Sequence, residues 1–361
     1  PRARSQEKVA FLVSNDQVLA ALRSVKDPEL HKDVVSLGMI EDLSVKGGVV
    51  SFTLNLTTPA CPLRAEMEAS VKAAVRAIEG VNDVKIKTSA HIPATRLSDQ
   101  GELMKGVKNV IAVASGKGGV GKTTVAVNLA VTLASAGARV GLLDADIYGP
   151  TVPVMMGVRE RPGAVGNMMV PPAAHGVKVI SLGFFYKDDT PLVWRGPMVA
   201  GAVKQLLTQV EWGDLDYLII DLPPGTGDAS LTLAQTVPLG GVVIVTTPQE
   251  ASLNIATKSL AMFRKLNVPI LGIVENMSYF VCPHCGEKTY IFSEGGGKKA
   301  AMALDAQFLG EIPIYPLIRE QSDVGVPVSA AAPDSPESRA FKDIAFRVAG
   351  MVSIVAYENS T

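Results

Sequence analysis

The spacing of apolar positions divides the chain into two regions. In the first, residues 50–56 alternate apolar and polar side chains, which predicts a strand with one buried face. Apolar residues at helical spacing precede this strand over 18–25 and follow it over 63–78, and residues 84–88 predict a further strand. We interpret residues 1–90 as a small α+β domain with the element order α-β-β-α-β.

Residues 91–109 are polar and aperiodic, which predicts a linker. Beyond them, short runs that are apolar on both faces alternate with helical segments, which is typical of a parallel sheet covered by crossover helices. We therefore predict that residues 110–361 form an α/β domain with a doubly wound, mostly parallel sheet. The predicted strands are 110–114, 140–143, 217–220, 242–246 and 270–274.

Composition narrows the class of protein. The chain has 361 residues, of which 47% are hydrophobic, which favours two folded domains over one or over disorder. Its net charge of -1, without a basic run, predicts no nucleic-acid partner. No apolar stretch approaches the ~20 residues of a membrane helix, and three cysteines do not suggest a disulfide framework. We expect a cytoplasmic protein without a membrane partner.

A phosphate-binding motif follows the predicted strand 110–114. The sequence GKGGVGKTT matches G-x-x-x-x-G-K-[ST] between a strand and a helix. Its glycines allow backbone N–H groups to surround phosphates, Lys122 can reach the β- and γ-phosphates, and Thr123 can bind Mg²⁺. Residues expected to hold ATP and Mg²⁺ in this loop are Gly116, Lys117, Gly118, Gly119, Val120, Gly121, Lys122, Thr123 and Thr124.

Polar residues at other predicted strand ends extend this site. Asp144 and Asp146 follow one strand and Asp221 follows another, at the sheet edge where α/β proteins bind ligands. Their carboxylates can hold Mg²⁺ or orient the attacking water, although Asp146 is also a reasonable helix cap. Asn276 lies beyond the strand 270–274, where a turn-forming role is nearly as consistent with the pattern.

The cysteines predict separate chemistry. Cys282 and Cys285 form a CxxC flanked by proline and glycine, as in metal-binding knuckles. One pair supplies two thiolates, whereas zinc and [4Fe-4S] sites take four ligands. His284 and local groups could complete a zinc knuckle, two chains could share one site, or the pair could be a redox dithiol, which should open a helix. Cys61 precedes a proline near a helix start and is either an accessory thiol of lowered pKa or a small buried side chain.

These motifs together resemble the Mrp/ApbC-type iron-sulfur carrier ATPases, which share a deviant Walker A loop with MinD and ParA. The residues before 90 resemble the SufT/PaaD-like domain of iron-sulfur assembly through DPEL at Asp27 and LTTPACP at Leu56. The resemblance covers nearly the whole chain. In the ATPase region it is carried by GKGGVGKTT from Gly116, DADIYGP from Asp144, WRGP from Trp194, DLPPGTGD from Asp221 and ENMSYFVCPHCG from Glu275.

The resemblance implies a role for each motif residue. Lys117 would cross a homodimer interface to the partner's nucleotide, and Asp144 would position water. Asp146 would belong to the first switch, Asp221 would be the Walker B residue, and Asn276 would contact adenine. The resemblance also implies slow ATP hydrolysis, with Lys122 and Lys117 as the cations that bind phosphate.

The resemblance also implies the cargo and the partners. A labile [4Fe-4S] cluster would be held between the CxxC pairs of two chains, received from assembly proteins and passed to apoproteins. Two other functions stay open: a MinD/ParA-like positioning ATPase acting on membrane or DNA, and a zinc-stabilised regulatory NTPase. A membrane-binding member should end in a basic amphipathic helix, whereas the apolar stripe over 341–355 predicts a helix packed on the sheet.

Overall fold

The computed structural model describes residues 13–28, 30–59, 63–95, 104–147, 149–185 and 196–359. The chain divides into two compact units, Pro1–Ile92 and Pro93–Thr361, and each is described by itself. Cys61 lies outside the described residues, so its role as an accessory thiol stays a prediction.

The described part of the first unit packs two helices on a three-stranded sheet, and its order α-β-β-α-β is the predicted one, although no residue range was predicted for its first strand. The central strand β2 pairs antiparallel with β1 and parallel with β3. Buried residues of α1, β2 and α2, including Leu22, Leu54 and Val71, form one core. The elements are α1 Asn15–Leu22, β1 Ile40–Lys46, β2 Val49–Leu56, α2 Arg64–Arg76 and β3 Asp83–Ala90.

Helix α1 ends three residues earlier than the apolar spacing predicts. Ser14 caps its start, since the Ser14 hydroxyl accepts a hydrogen bond from the Gln17 N–H and the Gln17 side chain accepts one from the Ser14 N–H. After Leu22 the chain turns, and the Val25 N–H donates to the Leu22 carbonyl at 3.0 Å. Val25 is buried in this turn, so its side chain joins the core without being helical.

The second unit alternates strands and helices around one large sheet, as predicted. Helices α3 and α7 cross between parallel strands, so the sheet is doubly wound. The elements are β4 Val107–Ser115, α3 Lys122–Ser135, β5 Val140–Asp144, α4 Val152–Met155, β6 Gly163–Val165, β7 Met168–Val170, β8 Ala173–Ala174, β9 Val177–Ser181, α5 Gly196–Thr208, β10 Leu215–Asp221, α6 Asp228–Thr236, β11 Gly241–Thr246, α7 Glu250–Lys265, β12 Ile270–Val281, β13 Lys288–Thr289, α8 Gly296–Ala303, β14 Phe308–Ile314, α9 Pro316–Asp323, α10 Val328–Ala331 and α11 Pro336–Glu358.

Strand order explains where the site forms. In the described part of this unit the sheet runs β13-β12-β11-β4-β10-β5-β9-β8, with β14 paired to β12. Strands β4, β10 and β5 are adjacent and parallel, so Asp221 stands beside Val113 on one side and Asp144 on the other. The loop after β4 and the carboxylates that end β10 and β5 therefore meet at one edge of the sheet.

Both ends of the segment predicted as a linker, residues 91–109, contain residues that belong to the compact units. Strand β4 begins at Val107 rather than at residue 110, and the compact second unit already includes Pro93. Asn109 is buried and accepts a hydrogen bond from the Thr95 N–H at 2.9 Å, while its amide donates to the carbonyls of Pro93 and Asp216, each at 3.0 Å. A polar residue in this segment thus fastens it to the sheet, which its composition did not indicate.

Three strand assignments also needed the structure. Strand β12 continues to Val281, well beyond the predicted end at residue 274, because β14 and β13 pair with its extension. The sequence analysis did not identify β9, and it missed β14 because Gly310, Glu311 and Pro313 interrupt its apolar pattern. The sheet near the CxxC therefore has a longer β12 than the sequence predicted and includes β14, which was not predicted.

The C-terminal helix α11 packs on the sheet, as its apolar stripe predicted. Its stripe residues are buried, and Arg347 donates hydrogen bonds to the carbonyls of Phe308 and Leu309 on β14 at 3.4 and 3.3 Å. This face is not available as a membrane-binding surface. Throughout the residues that the structure describes, no helix combines the length and apolarity needed to span a membrane.

Candidate nucleotide and metal site

The phosphate loop has the backbone conformation that its glycines predict. It joins β4 to α3, and Gly119 and Gly121 have φ values of 78° and 80°, in the left-handed region that favours glycine. Gly116 is also constrained by space, because a Cβ there would lie 2.6 Å from the Ile255 side chain on α7. The loop therefore packs closely against α7, and the N-terminus of α3 that follows it is a position at which helices commonly bind phosphate.

Lys122, Thr123 and Asp221 form one hydrogen-bonded group below the loop. The Lys122 ammonium lies 2.6 Å from Asp221 Oδ1 and 3.8 Å from Asp146 Oδ2. The Thr123 hydroxyl donates to Asp221 Oδ2 at 2.7 Å. A carboxylate and a hydroxyl in contact are oxygen ligands of the kind Mg²⁺ prefers, so the predicted pair Thr123 and Asp221 fits this ion.

Asp144 is a buried carboxylate at the end of β5, and its role in positioning water stays a prediction. It is fully buried, and its Oδ2 accepts hydrogen bonds from the Ser181 hydroxyl at 3.0 Å and the Val152 N–H at 3.3 Å. Its Oδ1 accepts one from the Asp146 N–H at 3.1 Å. Burial, together with the charge of Asp221, raises the pKa of Asp144 to about 8, and burial also raises the pKa of Asp221. In this conformation Asp144 holds the segment that leads into α4, while Asp146 faces the cavity.

The Lys117 side chain contacts a residue of its own chain. Its ammonium donates a hydrogen bond to Gln249 Oε1 at 3.2 Å, and that oxygen also accepts from the hydroxyls of Thr247 at 3.2 Å and Ser252 at 3.4 Å. Gln249 is a site residue that was not predicted from the sequence. Its position just after strand β11, at the same sheet edge as the phosphate loop, is the signal that could have identified it.

Asn276, on strand β12, supports the phosphate loop through a hydrogen bond. Its amide donates to the Val120 carbonyl at 2.8 Å and lies close to Gly121, where any Cβ would collide with it. The side chain also lines the nucleotide cavity, so the predicted contact with adenine stays a prediction beside this observed contact.

These residues surround a cavity of about 720 Å³, within the range of small-molecule sites. The lining includes the phosphate loop, Asp146 and six apolar or aromatic residues, which are together called the apolar wall. Phosphates at the loop and a planar base against the apolar wall would both find matching chemistry. The apolar wall includes Met277, Phe292, Pro313, Ile314, Tyr315 and Ile318.

Cys282 and Cys285 lie at the tip of a β-hairpin. The Gly286 N–H donates to the Cys282 carbonyl at 2.9 Å and the Cys282 N–H donates to the Glu287 carbonyl at 3.0 Å, after which β13 pairs with the end of β12. Cys282 is half-buried and Cys285 is exposed. The CxxC is followed by a strand, whereas a redox dithiol of the predicted alternative would open a helix.

The thiol chemistry favours a ligand role. Backbone hydrogen bonds from Cys285 and His284 lower the pKa of Cys282, which favours the thiolate that binds metals. Within the described ranges, no cluster of three or more His, Cys, Asp or Glu side chains is arranged to hold a metal ion.

The loop, its lysine and the carboxylates at the adjoining strand ends define a P-loop NTPase. A family model described as NUBPL iron-transfer P-loop NTPase, of the ParA group, matches residues 106–349. The chain belongs to this family. A second model, described as iron-sulfur cluster assembly protein, matches residues 15–88.

Proteins of similar sequence match most of the chain. An iron-sulfur cluster carrier protein of Synechocystis sp. is 49% identical over 351 residues, which cover 96% of this chain and 99% of the relative. The iron-sulfur cluster transfer protein NUBPL of Mus musculus is 51% identical over 248 residues, which cover 68% of this chain and 78% of the relative.

Solved structures agree on the fold of the second unit. A nucleotide-binding protein from Archaeoglobus fulgidus, in complex with ADP, is 40% identical with a TM-score of 0.59, over 68% of this chain and 96% of that one. The cell division ATPase MinD of Pyrococcus furiosus is 23% identical with a TM-score of 0.50, over 66% of this chain and 98% of that one. The likeness to MinD shows the fold alone.

Proposed function

We propose that this chain is an ATP-hydrolysing iron-sulfur cluster carrier that works as a homodimer in the cytoplasm. The observation that carries the proposal is the pair of accessible thiols of Cys282 and Cys285, held on a hairpin that grows out of the NTPase sheet. The near full-length likeness to a cluster carrier protein supports the choice of cargo. The cargo is a [4Fe-4S] cluster bound by two such pairs.

A two-fold dimer supplies the four thiolates that one cluster takes. Each chain contributes Cys282 and Cys285, and their position at a hairpin tip allows two copies to approach without rearranging the sheet. The lowered pKa of Cys282 favours the thiolate form that binds metals. An exposed cluster between two chains is also accessible to a recipient apoprotein, which is what transfer requires.

In the ATP site, each residue has a separate proposed task. Lys122 exchanges its contact with Asp221 for the β- and γ-phosphates, which leaves Asp221 and Thr123 to hold Mg²⁺; this ion would neutralise charge on the phosphates. Lys117 leaves Gln249 to reach the nucleotide of the partner chain. Asp144 positions water once the segment before α4 moves, and Asp146 belongs to that moving segment. ATP turnover is thereby coupled to dimer geometry and cluster transfer.

The first unit has a proposed role in protein contacts. Residues 15–88 match a model for iron-sulfur cluster assembly proteins. We assign to this unit the contacts with upstream assembly proteins, and to the dimeric NTPase the release of the cluster to recipient apoproteins.

Anaerobic reconstitution with iron and sulfide tests the cargo. The wild type should bind about four irons and four sulfides per dimer, and Cys282→Ala/Cys285→Ala should bind none while still binding ATP. Cys61→Ala is the matched control, because it removes a thiol outside the hairpin. One zinc per chain without labile iron would contradict the carrier function and indicate the zinc-stabilised NTPase instead.

A further inference from the structure

The CxxC hairpin, defined here as residues 278–291, begins and ends at the nucleotide cavity. Met277, which precedes it, and Phe292, which follows it, both line the apolar wall of that cavity. The residues at both ends of the segment that carries the cysteines therefore line the nucleotide cavity. No switch loop has to intervene between the two.

Strand β12, which leads out to the cysteines and is called here the outgoing strand, is hydrogen-bonded to the phosphate loop where the hairpin begins. Asn276 bonds to the Val120 carbonyl of the phosphate loop, and the buried Glu275 carboxylate accepts hydrogen bonds from the Ser278 hydroxyl at 2.5 Å and from the Gly297 N–H. Met277 adopts a φ of 57°, and the pairing register with β14 shifts between Asn276 and Phe280. A non-glycine residue in this conformation is a strained position of the kind found at functional sites.

The strand that leads back from the cysteines, β13, pairs with the end of β12. Phe280 and Val281 pair with Thr289 and Lys288. The Tyr279 ring makes an edge contact with that of Tyr290, with centroids 6.1 Å apart, and the Lys288 ammonium lies 4.3 Å from the Tyr279 ring centroid. These cross-strand contacts connect the strand that precedes Phe292 to the strand that leads to Cys282.

Phe292 is the part of this connection that a nucleotide can act on. Its side chain is 41% exposed although it forms part of the cavity wall. An aromatic ring at that position gains burial when a planar base occupies the cavity.

We propose that Phe292, together with Met277, couples nucleotide occupancy to the reactivity and metal affinity of Cys282 and Cys285. Bound nucleotide covers Phe292, fixes the base of the hairpin and restricts both thiols. This inference rests on the proposed function, to which it adds the route of coupling. Because coupling is reciprocal, a metal bound by the thiols must change nucleotide affinity by the same factor.

Thiol alkylation in the metal-free full chain tests this route without any cluster. Iodoacetamide reaction at Cys282 and Cys285 is followed by peptide mass in a Cys61→Ser background, with and without a saturating, non-hydrolysable Mg²⁺-ATP analogue. The analogue should slow alkylation roughly fivefold or more. Phe292→Ala, tested at its own saturating concentration, should lose this effect, and Phe292→Leu should retain part of it.

Ile291→Ala is the matched control. Ile291 adjoins Phe292 and is 54% exposed, but it does not line the cavity, so the nucleotide effect should persist in this variant. An unchanged alkylation rate in the wild type, or a full effect in Phe292→Ala, would overturn the proposal. Failure to reconstitute a cluster would instead contradict the proposed cargo, since the alkylation measurement does not depend on it.

Discussion

The Lys117 ammonium donates a hydrogen bond to Gln249 of its own chain at 3.2 Å. Lys117, which is proposed to act on the partner's nucleotide, is thus hydrogen-bonded to the neutral side chain of Gln249 in its own chain. Exchange of one such contact for a phosphate is favourable, because a charge-assisted hydrogen bond to phosphate is stronger than one to an amide oxygen.

Lys117→Ala should reduce the turnover number of ATP hydrolysis by roughly 10²-fold or more, as expected for a cation supplied across an interface. Nucleotide affinity of the monomer should change little, because Lys122 remains. Gln249→Ala frees Lys117 and also removes the acceptor of the Thr247 and Ser252 hydroxyls, but it keeps both lysines and should retain turnover. Steady-state ATPase assays and equilibrium nucleotide titrations separate these effects. Lys105→Ala is the control, since Lys105 is exposed and precedes β4 at the opposite end of that strand. Wild-type turnover in Lys117→Ala would contradict the cross-dimer role.

Thr123→Val should raise the Mg²⁺ concentration for half-maximal ATPase activity by about tenfold or more, since it removes an oxygen ligand next to Asp221 at little cost in volume. The measurement is a Mg²⁺ titration of activity. Thr132→Val on the same helix is the matched control, because the buried Thr132 hydroxyl has no hydrogen-bond partner among the described residues. An unchanged Mg²⁺ requirement in Thr123→Val would remove this residue from the ion site.

Asn276→Ala should weaken nucleotide binding by roughly tenfold, because the Val120 carbonyl loses a buried donor and the phosphate loop loses its brace. Calorimetric titration with ADP gives the dissociation constant directly. Asn359→Ala, at the exposed end of α11, should bind ADP like the wild type. Equal ADP affinity of Asn276→Ala and the wild type would show that the brace does not support binding.

Asp216 anchors the end of the sheet opposite the nucleotide site. Burial alone would raise its pKa, but hydrogen bonds from Arg139 and Lys108 lower the pKa of Asp216 from 3.8 to about 2. The folded state therefore favours the carboxylate; this stabilisation is complete above the unfolded pKa near 4 and is lost as the pH falls toward 2.

Asp216→Asn should lower the free energy of unfolding by about 2 kcal/mol at pH 7, and the difference from the wild type should shrink as the pH falls below 4. Urea denaturation of both proteins across this pH range measures it. Asp214→Asn is the control, because the Asp214 side chain is 78% exposed at 3.5 Å from Arg139. A difference that does not depend on pH would mean that packing, rather than ionisation, is responsible.

The phosphate loop was predictable because its chemistry is local. Nine consecutive residues from Gly116 to Thr124 carry both the glycine conformations and the lysine, and the adjoining apolar runs place the loop between a strand and a helix. Asp221 followed from the same logic, since its strand ends at the same edge. Apolar runs in general identified the central strands but not their ends.

Contacts between distant segments were not predictable. Gln249 meets Lys117 across 132 residues, and Ser181 reaches Asp144 from β9, which the sequence analysis did not identify. The extension of β12 to the CxxC depends on pairing with β14, whose glycine and proline break its apolar pattern. Such contacts are set by strand order, which no single segment specifies.

The sharing of one cluster by two chains is tested most directly with mixed dimers. Wild type and Cys282→Ala/Cys285→Ala are mixed in equal amounts, allowed to exchange subunits until native mass spectrometry shows random pairing, and then reconstituted. A bridging cluster forms in wild-type pairs alone, so bound cluster should fall to about one quarter of that in the same total amount of wild type. A fall to about one half would show that each chain binds its metal independently, which would contradict the bridging site.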